Sequence, residues 1–504
     1  MPRASVVSPK RAVRPVVLAL DVGTSSTRAE LYDARGRWLR ELGAQHQISP
    51  RTTPDGGAEM DADELFESTA RALDQVVGRA AREGVEIAGV ATSTFWHALL
   101  GVGRDGRPTT PLYLWADSRS RRAMLELHAR LDERAVHART GCVIHWSYLP
   151  SKLLWLARAD PNAFRRTQTW MSFGEYLYLR VFGRTVCSIS MASGTGLFDQ
   201  NRREWDAGVL SELPVSAEQF APLGDFDAPL RGPCDEYASR WPALREVPWY
   251  PAVGDGACSN VGSGCVSRER MALMVGTSGA LRVAWRAGRA TVPWGAWCYR
   301  VDGRRFVMGG ALANGGNLFG WMRDTLRLGR IETAERELAR MEPDAHGLTV
   351  LPFLAGERSP GYAPDAHAMI LGLTLATRPI DILRAGLEAV GLSFARLHEI
   401  LLAAVPEAHQ VVATGGALLH SPAWVQIIAD ALGRPLVVSR EPEASSRGAA
   451  LLALEALGAL PSVEEAPAGF GRVYEPDREA HERYQAALER RQRYYQQLVG
   501  RPHE

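Results

Sequence analysis

The segment Val253-Gly254-Asp255-Gly256-Ala257 places a single carboxylate between two glycines. The glycines leave room for a ligand to approach, and the carboxylate can accept the proton of an attacking hydroxyl group. Asp255 is therefore the candidate catalytic base, and it is also a candidate contact for the molecule that carries this hydroxyl. The alternative is an Asp-Gly turn without chemistry, because such turns are common.

A second candidate is the loop Asp21-Val22-Gly23-Thr24-Ser25-Ser26-Thr27-Arg28, which combines a carboxylate, a glycine and consecutive hydroxyl groups. Backbone N–H and hydroxyl groups in such a turn can face phosphate oxygens. The expected phosphate contacts are Gly23, Thr24, Ser25, Ser26 and Arg28. Asp21 cannot itself favour phosphate, so its expected role is to hold Mg²⁺ through water. A polar hairpin turn is the alternative interpretation.

The loop Gly276-Thr277-Ser278-Gly279-Ala280 repeats this pattern without the acid. The sequences DVGTSST and MVGTSGA each follow a β-rich run, and their similarity predicts two related domains. Each domain would offer one hairpin loop to a shared cleft, with Gly276 and Thr277 as phosphate contacts. Because Asp255 shortly precedes the second loop, a catalytic role is favoured over a plain turn.

Two further segments carry residues suited to a polyol, namely Thr94-Phe95-Trp96-His97 and Leu114-Trp115-Ala116-Asp117-Ser118-Arg119. Tryptophan faces stack on sugar C–H surfaces, while His, Asp and Arg fix hydroxyl or carboxylate groups. The predicted sugar contacts are Trp96, His97, Trp115, Asp117 and Arg119. Any one of them could instead be a core residue or part of a surface ion pair. Arg119 in particular could pair with Asp117 or Asp255 and only shape the site.

The paired glycines Gly415 and Gly416 follow a predicted strand at residues 410–413. Glycines at a junction of strand and loop would let a flat adenine or ribose lie against the backbone. A tight turn is the alternative. We expect the nucleotide to extend from this junction to the two hairpin loops.

The elements that must position these loops follow an α/β pattern. An antiparallel meander is predicted at residues 16–23, 27–32 and 37–39, followed by a helix at 63–82 and a strand at 87–93. The second half begins with strands at 271–278 and 280–285 and continues with helices at 380–402, 422–432 and 446–457 and strands at 410–413 and 435–439. Beyond Ala466 the chain is predicted to form a solvated surface helix that caps the fold.

Lysine occurs only at Lys10 and Lys152, and neither lies in a GxxxxGK[ST] sequence. This excludes a Walker-type phosphate loop. A protein with this sequence that handles ATP must hold the phosphates by another device, such as the two hairpin loops.

The length of 504 residues fits two domains, and the net charge of +1 gives no reason to expect nucleic acid or an anionic membrane as partner. A small-molecule substrate is expected instead. The apolar run at residues 16–20 is too short for a signal sequence, and no stretch reaches the length of a membrane span, so a cytoplasmic location is expected. The six cysteines lack metal-ligand spacing and are expected to be buried apolar residues.

Taken together, the motifs resemble those of the FGGY carbohydrate kinases from about Val16 to Gly458. The number and order of the matching segments are more specific than any one of them. They are DVGTSSTR, WADSR, KLLWL, GDGACSNVGSG, VGTSGA, ERSPGYAPDAHAMILGLT and ATGGALLHSPAW.

The resemblance implies an α/β fold with two ribonuclease-H-like (actin/hexokinase-type) domains flanking a central nucleotide and sugar cleft. The expected domains are residues 14–265 and 266–462, with a helical tail at 463–504. ATP and Mg²⁺ are the implied cofactors, and a homodimer is compatible with this architecture. The resemblance assigns Asp255 as base, and it assigns nucleotide, phosphate or metal contacts to Asp21, Thr24, Thr277, Gly315 and Gly415.

The resemblance also bears on the substrate. Trp96-His97 stands where xylulokinases usually carry Met-His, and His420 stands where glycerol kinases carry Asn, whereas WADSRS and RTGCVIH are closer to gluconokinases. The expected reaction is ATP-dependent phosphorylation of a primary hydroxyl of a sugar or sugar acid, with D-gluconate first and D-xylulose or another polyol second. Arg119, His97 and His145 are the expected partners of a gluconate carboxylate.

Two rival functions remain at this point. A sugar-binding regulator without turnover would have no need of both Asp21 and Asp255, and both are present. An acetate or acid kinase of the actin fold would leave the segments WADSR and KLLWL unexplained. Both rivals are therefore less favoured than a sugar kinase.

Overall fold

The computed structural model describes residues 6–500. Two mixed β-sheets, of five and seven strands, form the centres of two α/β domains. The strands are β1 (Val16–Val22), β2 (Ser26–Tyr32), β3 (Ala44–Gln47), β4 (Arg51–Thr52), β5 (Ala58–Met60), β6 (Ile87–Thr94), β7 (Leu100–Val102), β8 (Leu112–Tyr113), β9 (Thr169–Met171), β10 (Cys187–Ser188), β11 (Phe198–Asp199), β12 (Glu204–Trp205), β13 (Leu223–Gly224), β14 (Val253–Gly254), β15 (Arg270–Val275), β16 (Gly279–Arg286), β17 (Trp297–Arg300), β18 (Arg305–Leu312), β19 (Thr349–Leu351), β20 (Met369–Leu371), β21 (Gln410–Thr414), β22 (Leu436–Ser439) and β23 (Phe470–Tyr474).

The helices connect and cover these strands. They are α1 (Ala62–Arg82), α2 (Arg121–Arg130), α3 (Glu133–Thr140), α4 (Leu149–Ala159), α5 (Pro161–Arg166), α6 (Phe173–Phe182), α7 (Ile189–Ser193), α8 (Ala207–Leu210), α9 (Asp235–Arg240), α10 (Asp255–Gly262), α11 (Gly316–Thr325), α12 (Ile331–Leu338), α13 (Pro379–Ala404), α14 (Gly416–Leu419), α15 (Pro422–Leu432), α16 (Ala444–Ala456) and α17 (Arg478–Leu498). Within residues 6–500, none of the helices has the length and apolar character that crossing a membrane requires.

The N-terminal sheet has the strand order β14-β6-β1-β2-β3. The strands β1, β2 and β3 form an antiparallel meander, and β6 and β14 run parallel to β1. Every residue of β1 is buried, as expected for a central strand covered on both faces. This topology brings the carboxyl ends of β1, β6 and β14 to one edge of the sheet, where Asp21 and Asp255 lie.

The C-terminal sheet repeats this arrangement in the order β17-β18-β16-β15-β21-β22-β23. Here β15, β16 and β18 form the antiparallel part, while β21 and β22 run parallel to β15. The shared topology confirms the two related domains that the short internal similarity predicts. The hairpin between β15 and β16 is the counterpart of the hairpin between β1 and β2.

Helix α16 comes from the C-terminal half of the chain but packs against α10, β6 and β1 of the N-terminal domain. Its residues at positions 449–454 belong to the same buried apolar cluster as β1. Two glycines allow α10 and α16 to touch. A Cβ atom at Gly262 would lie 1.8 Å from the carbonyl oxygen of Ala444, and one at Gly448 would lie 1.9 Å from that of Cys258. The N-terminal core is therefore completed by a late segment of the chain.

Most of the predicted elements are present, but two predictions are wrong in detail. The third strand of the meander is β3, because Trp38 within residues 37–39 makes only isolated bridges, to Val6 and Tyr32. Cys234 is exposed, while the other five cysteines are buried as expected. Cys234 directly precedes α9 and lies at the protein surface, where a thiol is tolerated.

The C-terminal tail contains the predicted helix, α17, but it is more than a solvated cap. Strand β23 pairs with β22 and forms the edge of the seven-stranded sheet. Tyr484 of α17 is fully buried, and its hydroxyl donates a hydrogen bond of 2.9 Å to Glu388 of α13. The tail is thus part of the C-terminal core, because its apolar face covers α13 and α15.

Candidate active site

Asp255 is the first residue of α10 and follows β14, a short edge strand of the N-terminal sheet. Its own carboxylate accepts a hydrogen bond of 2.7 Å from the backbone N–H of Gly256. Burial raises the pKa of Asp255 to about 6, and the nearby Arg282 opposes this rise. A carboxylate with this pKa is ionised near neutral pH and is still basic enough to accept a proton.

Asp21 lies on β1, which is separated from β14 by β6, and it is paired with Ser93 of β6 and Arg28 of β2. Burial raises its pKa, and Arg28 lowers it. Arg28 lies between two acids, 3.3 Å from Asp21 and 3.8 Å from Glu443. Asp21 also raises the pKa of Asp255, so the two predicted acids are close enough to sense each other's charge.

Arg282 on β16 was not singled out by the sequence analysis. It is 7% exposed, and its Nε donates a hydrogen bond of 3.0 Å to the side-chain oxygen of Asn260. A Cβ atom at Gly256 would lie 3.1 Å from its Nη1 atom, which places the guanidinium beside the catalytic segment. The C-terminal domain thus supplies a buried cation next to the candidate base, and only the fold reveals this proximity.

The first predicted phosphate loop is the hairpin between β1 and β2. The N–H of Gly23 donates a hydrogen bond of 2.9 Å to the carbonyl of Ser26 and closes the turn. Gly23 and Thr24 are partly exposed and Ser25 is exposed, whereas Ser26 is buried in the sheet. The tip of the hairpin is therefore available to a ligand, while Ser26 faces the protein interior.

The second predicted loop, between β15 and β16, is closed by a hydrogen bond of 3.0 Å from the N–H of Gly276 to the carbonyl of Ser278. The start of α11 rests on this hairpin, since the N–H of Gly316 donates to the carbonyl of Gly276 at 2.8 Å. A Cβ atom at Gly315 would lie 2.8 Å from the backbone of Ser278. The structure thus joins the predicted contacts Gly276, Thr277 and Gly315 in one glycine-rich surface.

The third glycine segment adjoins the same surface. Gly415 has a φ of 93°, and a Cβ atom there would lie 2.4 Å from the carbonyl oxygen of Val275. Only glycine fits this left-handed conformation and close contact. Gly416 is exposed, and a Cβ atom added to it would meet open space. The Nδ1 of His420 donates a hydrogen bond to the Gly416 carbonyl. This arrangement leaves room for a flat ligand beside Gly416.

His97 and Trp96 occupy the loop after β6. His97 has a φ of 65°, and its Nδ1 donates to the carbonyl of Gly194, which leaves Nε2 as a hydrogen-bond acceptor. Burial lowers the pKa of His97 to about 3, so the ring is neutral. The Trp96 ring is 5% exposed, and a Cβ atom at Gly254 would lie 1.9 Å from it. Trp96 therefore connects His97 to the segment that carries Asp255.

Lys152 holds the two predicted sugar-binding segments together. Its Nζ donates to the carbonyl of His97 at 2.6 Å and to the carbonyl of Leu114 at 2.7 Å. Burial lowers the pKa of Lys152 to about 7. From the sequence, Lys152 served to exclude a Walker-type loop and as part of the segment KLLWL, but neither observation indicated this structural role.

Asp117 and Arg119 form an ion-pair network with Glu59. The Nη2 atom of Arg119 lies 2.6 Å from Asp117 and 2.7 Å from Glu59, and its guanidinium stacks on Tyr113 and Trp155. Asp117 is 2% exposed. These contacts favour the alternative in which Arg119 shapes the site through Asp117 rather than binding a substrate carboxylate.

Trp115 lies beside this network and is 38% exposed. The guanidinium of Arg358, from the C-terminal domain, lies 5.6 Å from its ring centroid. Trp115 therefore has a ring surface that a sugar can reach, in contrast to Trp96. Arg358 belongs to the segment ERSPGY, and the sequence alone indicated no separate role for it.

These features define a class of protein. Two related α/β domains, a buried carboxylate at their junction and glycine-rich hairpins are the features of an actin/hexokinase-type phosphotransferase. Family models described as the N-terminal and C-terminal domains of the FGGY family of carbohydrate kinases match residues 16–262 and 271–457. The chain belongs to this family and is a carbohydrate kinase, for which ATP is the phosphate donor.

Individual relatives carry different substrate names, among them gluconate, xylulose and glycerol. The chain is 27% identical over 474 residues to gluconokinase of Bacillus subtilis (strain 168), with 91% of each chain covered. It matches a crystal structure of gluconate kinase from Lactobacillus acidophilus with a TM-score of 0.89 and 26% identity, covering 96% of this chain and 98% of that one. A ligand-bound xylulose kinase from the same organism gives the same four values. The fold therefore does not separate the two substrates.

Proposed function

We propose that this protein catalyses the ATP-dependent phosphorylation of the primary hydroxyl of D-gluconate. The observation that carries the proposal is Asp255, a carboxylate with a pKa of about 6 at the junction of the two domains. The choice of gluconate is supported by the similarity to a gluconokinase along 91% of the chain. The segments WADSRS and RTGCVIH support the same choice.

In the proposed reaction, Asp255 accepts the proton of the C6 hydroxyl as its oxygen attacks the terminal phosphorus of ATP and the bond to ADP breaks. The backbone N–H groups and hydroxyls of the two hairpins stabilise the charge on the transferred group. The neutral ring of His97 offers Nε2 as an acceptor for a sugar hydroxyl. Closure of the domains would exclude water and prevent loss of ATP by hydrolysis.

Asp21 is the residue that we propose for Mg²⁺. It is buried beside Asp255, and a cation would relieve the repulsion between these two acids. Asp21 would hold the ion through water, and the ion, when bound, would neutralise phosphate charge. Without the ion, the positive charge of Arg28 offsets part of the negative charge of Asp21.

The test is a coupled ADP-release assay with D-gluconate, D-xylulose, D-ribulose, glycerol and erythritol. We expect the highest kcat/KM for gluconate, and Asp255→Asn should lower kcat by about 10²–10⁴ while ATP binding persists. Faster turnover of xylulose than of gluconate would reject the substrate but retain the kinase assignment. Near-normal kcat in Asp255→Asn would remove this residue from the mechanism.

The second candidate substrate is D-xylulose, which the equal match to a xylulose kinase structure favours. A neutral ketose needs only neutral donors and acceptors, whereas a sugar acid gains a charge-assisted hydrogen bond from a cation. The assay therefore decides between a neutral and an anionic substrate class. The same protein preparation can test the predicted homodimer by its mass in solution.

A further inference from the structure

A sugar acid needs a cation that is not already neutralised, and most cations near the site fail this condition. Arg119 is paired with Asp117 and Glu59. Arg282 is bonded to Asn260 and lies beside Asp255, at the reacting end of the site. These two arginines therefore leave the far end of the sugar site to another cation.

Lys152 also fails, for a different reason. Its Nζ is directed to the carbonyls of His97 and Leu114, which it joins. Burial lowers its pKa to about 7, so it carries only part of a charge near neutral pH. Lys152 is therefore a positioning residue for the sugar-binding segments.

Arg358 meets the condition. Among residues 6–500, no carboxylate forms an ion pair with it, and no side-chain hydrogen bond engages its guanidinium. Its guanidinium lies 5.6 Å from the ring centroid of the exposed Trp115. It also lines a cavity of about 1050 Å³ between the domains, next to the sugar-binding segments and without His97 or Asp255 in the described lining. Its charge also reaches the sugar-binding segment, since it contributes to the lowered pKa of His97.

The backbone around Arg358 is fixed to the C-terminal sheet. The N–H of Ser359 donates to the carbonyl of Ala311 on β18 at 3.0 Å, and the N–H of Ala311 donates to the Ser359 hydroxyl at 3.2 Å. A guanidinium on such a support is pre-organised for a planar carboxylate, which it can bind with two parallel hydrogen bonds.

We propose that Arg358 binds the carboxylate of a sugar-acid substrate and is the residue that selects an acid over a neutral sugar. This inference rests on the proposed function, and it identifies the residue that determines the substrate class. The site has an order that suits such a substrate. The Trp96 ring packs against Gly254 and Gly256 on either side of Asp255, its centroid lies 6.3 Å from that of His97, and the charge of Arg358 reaches His97. D-gluconate has its reacting hydroxyl and its carboxylate at opposite ends of the carbon chain.

The proposal also gives the carboxylate a part in domain closure. Arg358 belongs to the C-terminal domain, whereas Trp115 and His97 belong to the N-terminal domain. A carboxylate held by Arg358 on a sugar held by His97 would join the domains. A neutral sugar would lack this connection and favour closure less.

The experiment compares D-gluconate with D-gluconamide, which retains every hydroxyl and lacks the charge, in the wild type and in Arg358→Ala. We expect Arg358→Ala to lower kcat/KM for gluconate by about 30-fold or more, because a charge-assisted pair is lost. The value for gluconamide should change by less than about 3-fold, since its amide gains no such pair. If gluconamide inhibits without turnover, its inhibition constant serves as the readout. Arg358→Lys should restore part of the gluconate activity.

Arg121→Ala is the matched control. Arg121 also stacks on a tryptophan, 4.9 Å from the ring centroid of Trp146, but it already has a carboxylate partner, Asp365, at 2.7 Å. Its removal should leave the ratio of gluconate to gluconamide activity unchanged. Equal losses for both compounds in Arg358→Ala, or an unchanged ratio, would overturn the role of Arg358 alone. A wild type that phosphorylates only neutral sugars would overturn the proposed substrate as well.

Discussion

Replacing Arg282 with methionine should move the acid limb of the pH–rate profile to higher pH. Burial is the main cause that raises the pKa of Asp255 to about 6, and the charge of Arg282 holds it down. The base must be ionised to accept a proton, so kcat/KM falls as the pH drops through this pKa. Without Arg282 the fall should begin at a higher pH, and activity at neutral pH should be reduced.

The size of the shift follows from the position of Arg282. Its guanidinium lies next to Gly256, the residue after Asp255, so the two charges are about 5–10 Å apart. At an effective dielectric constant of about 20, such charges interact by about 1.7–3.3 kcal/mol. Since about 1.4 kcal/mol corresponds to one pH unit, the pKa of Asp255 should rise by about 1–2 units. The acid limb should then lie between about pH 7 and about pH 8.

The assay is kcat/KM for the sugar from about pH 5 to about pH 9, at saturating ATP. Arg282→Lys keeps the charge and should keep the limb near its original position. Arg268→Met removes a surface arginine that pairs with Glu407 and should leave the profile unchanged. Thermal unfolding of each variant checks the fold, since Arg282 also bonds Asn260. A folded Arg282→Met enzyme with an unshifted limb would refute the electrostatic account of Asp255.

Three further changes test other parts of the site. Asp21→Ala should raise the Mg²⁺ concentration needed for half-maximal rate by about 10-fold or more with sugar affinity unchanged, and an unchanged Mg²⁺ dependence would exclude its proposed role. Lys152→Met should lower the free energy of unfolding by about 1–3 kcal/mol and raise KM for the sugar, because the two carbonyls that Lys152 joins lose their donor. An unaltered urea midpoint and KM would show that these bonds contribute nothing. Gly254→Ala should displace Trp96, since the new methyl group would lie 1.9 Å from its ring, and should lower kcat by about 10-fold or more. Unchanged kcat and tryptophan fluorescence would contradict this.

Much of the fold could be predicted because the signals were local. The strands and turns around Asp21 and Gly276 follow from apolar runs that end in glycine and hydroxyl residues. The repeated motif then gave the two-domain topology. The third strand of the meander was misplaced, because β3 alternates in burial but has the sequence AQHQ, in which Ala44 is the one apolar residue. Short edge strands leave weak signals in sequence.

The residues that the sequence analysis missed share a different property. Arg282, Lys152 and Arg358 acquire their roles from contacts with segments far away in the chain. Arginine is abundant in this protein, so no single arginine stands out by type. Arg119 shows the reverse case, because the motif predicted a ligand contact or a pair with an acid, and the fold supplies two carboxylate partners.

The packing of α16 on α10 has a consequence for how the protein is made. Residues of the N-terminal sheet leave the ribosome first, but the apolar surface that α16 covers stays open until residues 444–456 have been synthesised. At about 5–20 residues per second, the interval after α10 is roughly 10–40 s. During this time the nascent N-terminal half exposes the face of α10 that carries Gly262. A chaperone that binds apolar surface would therefore engage the first half of the chain and be released by the second.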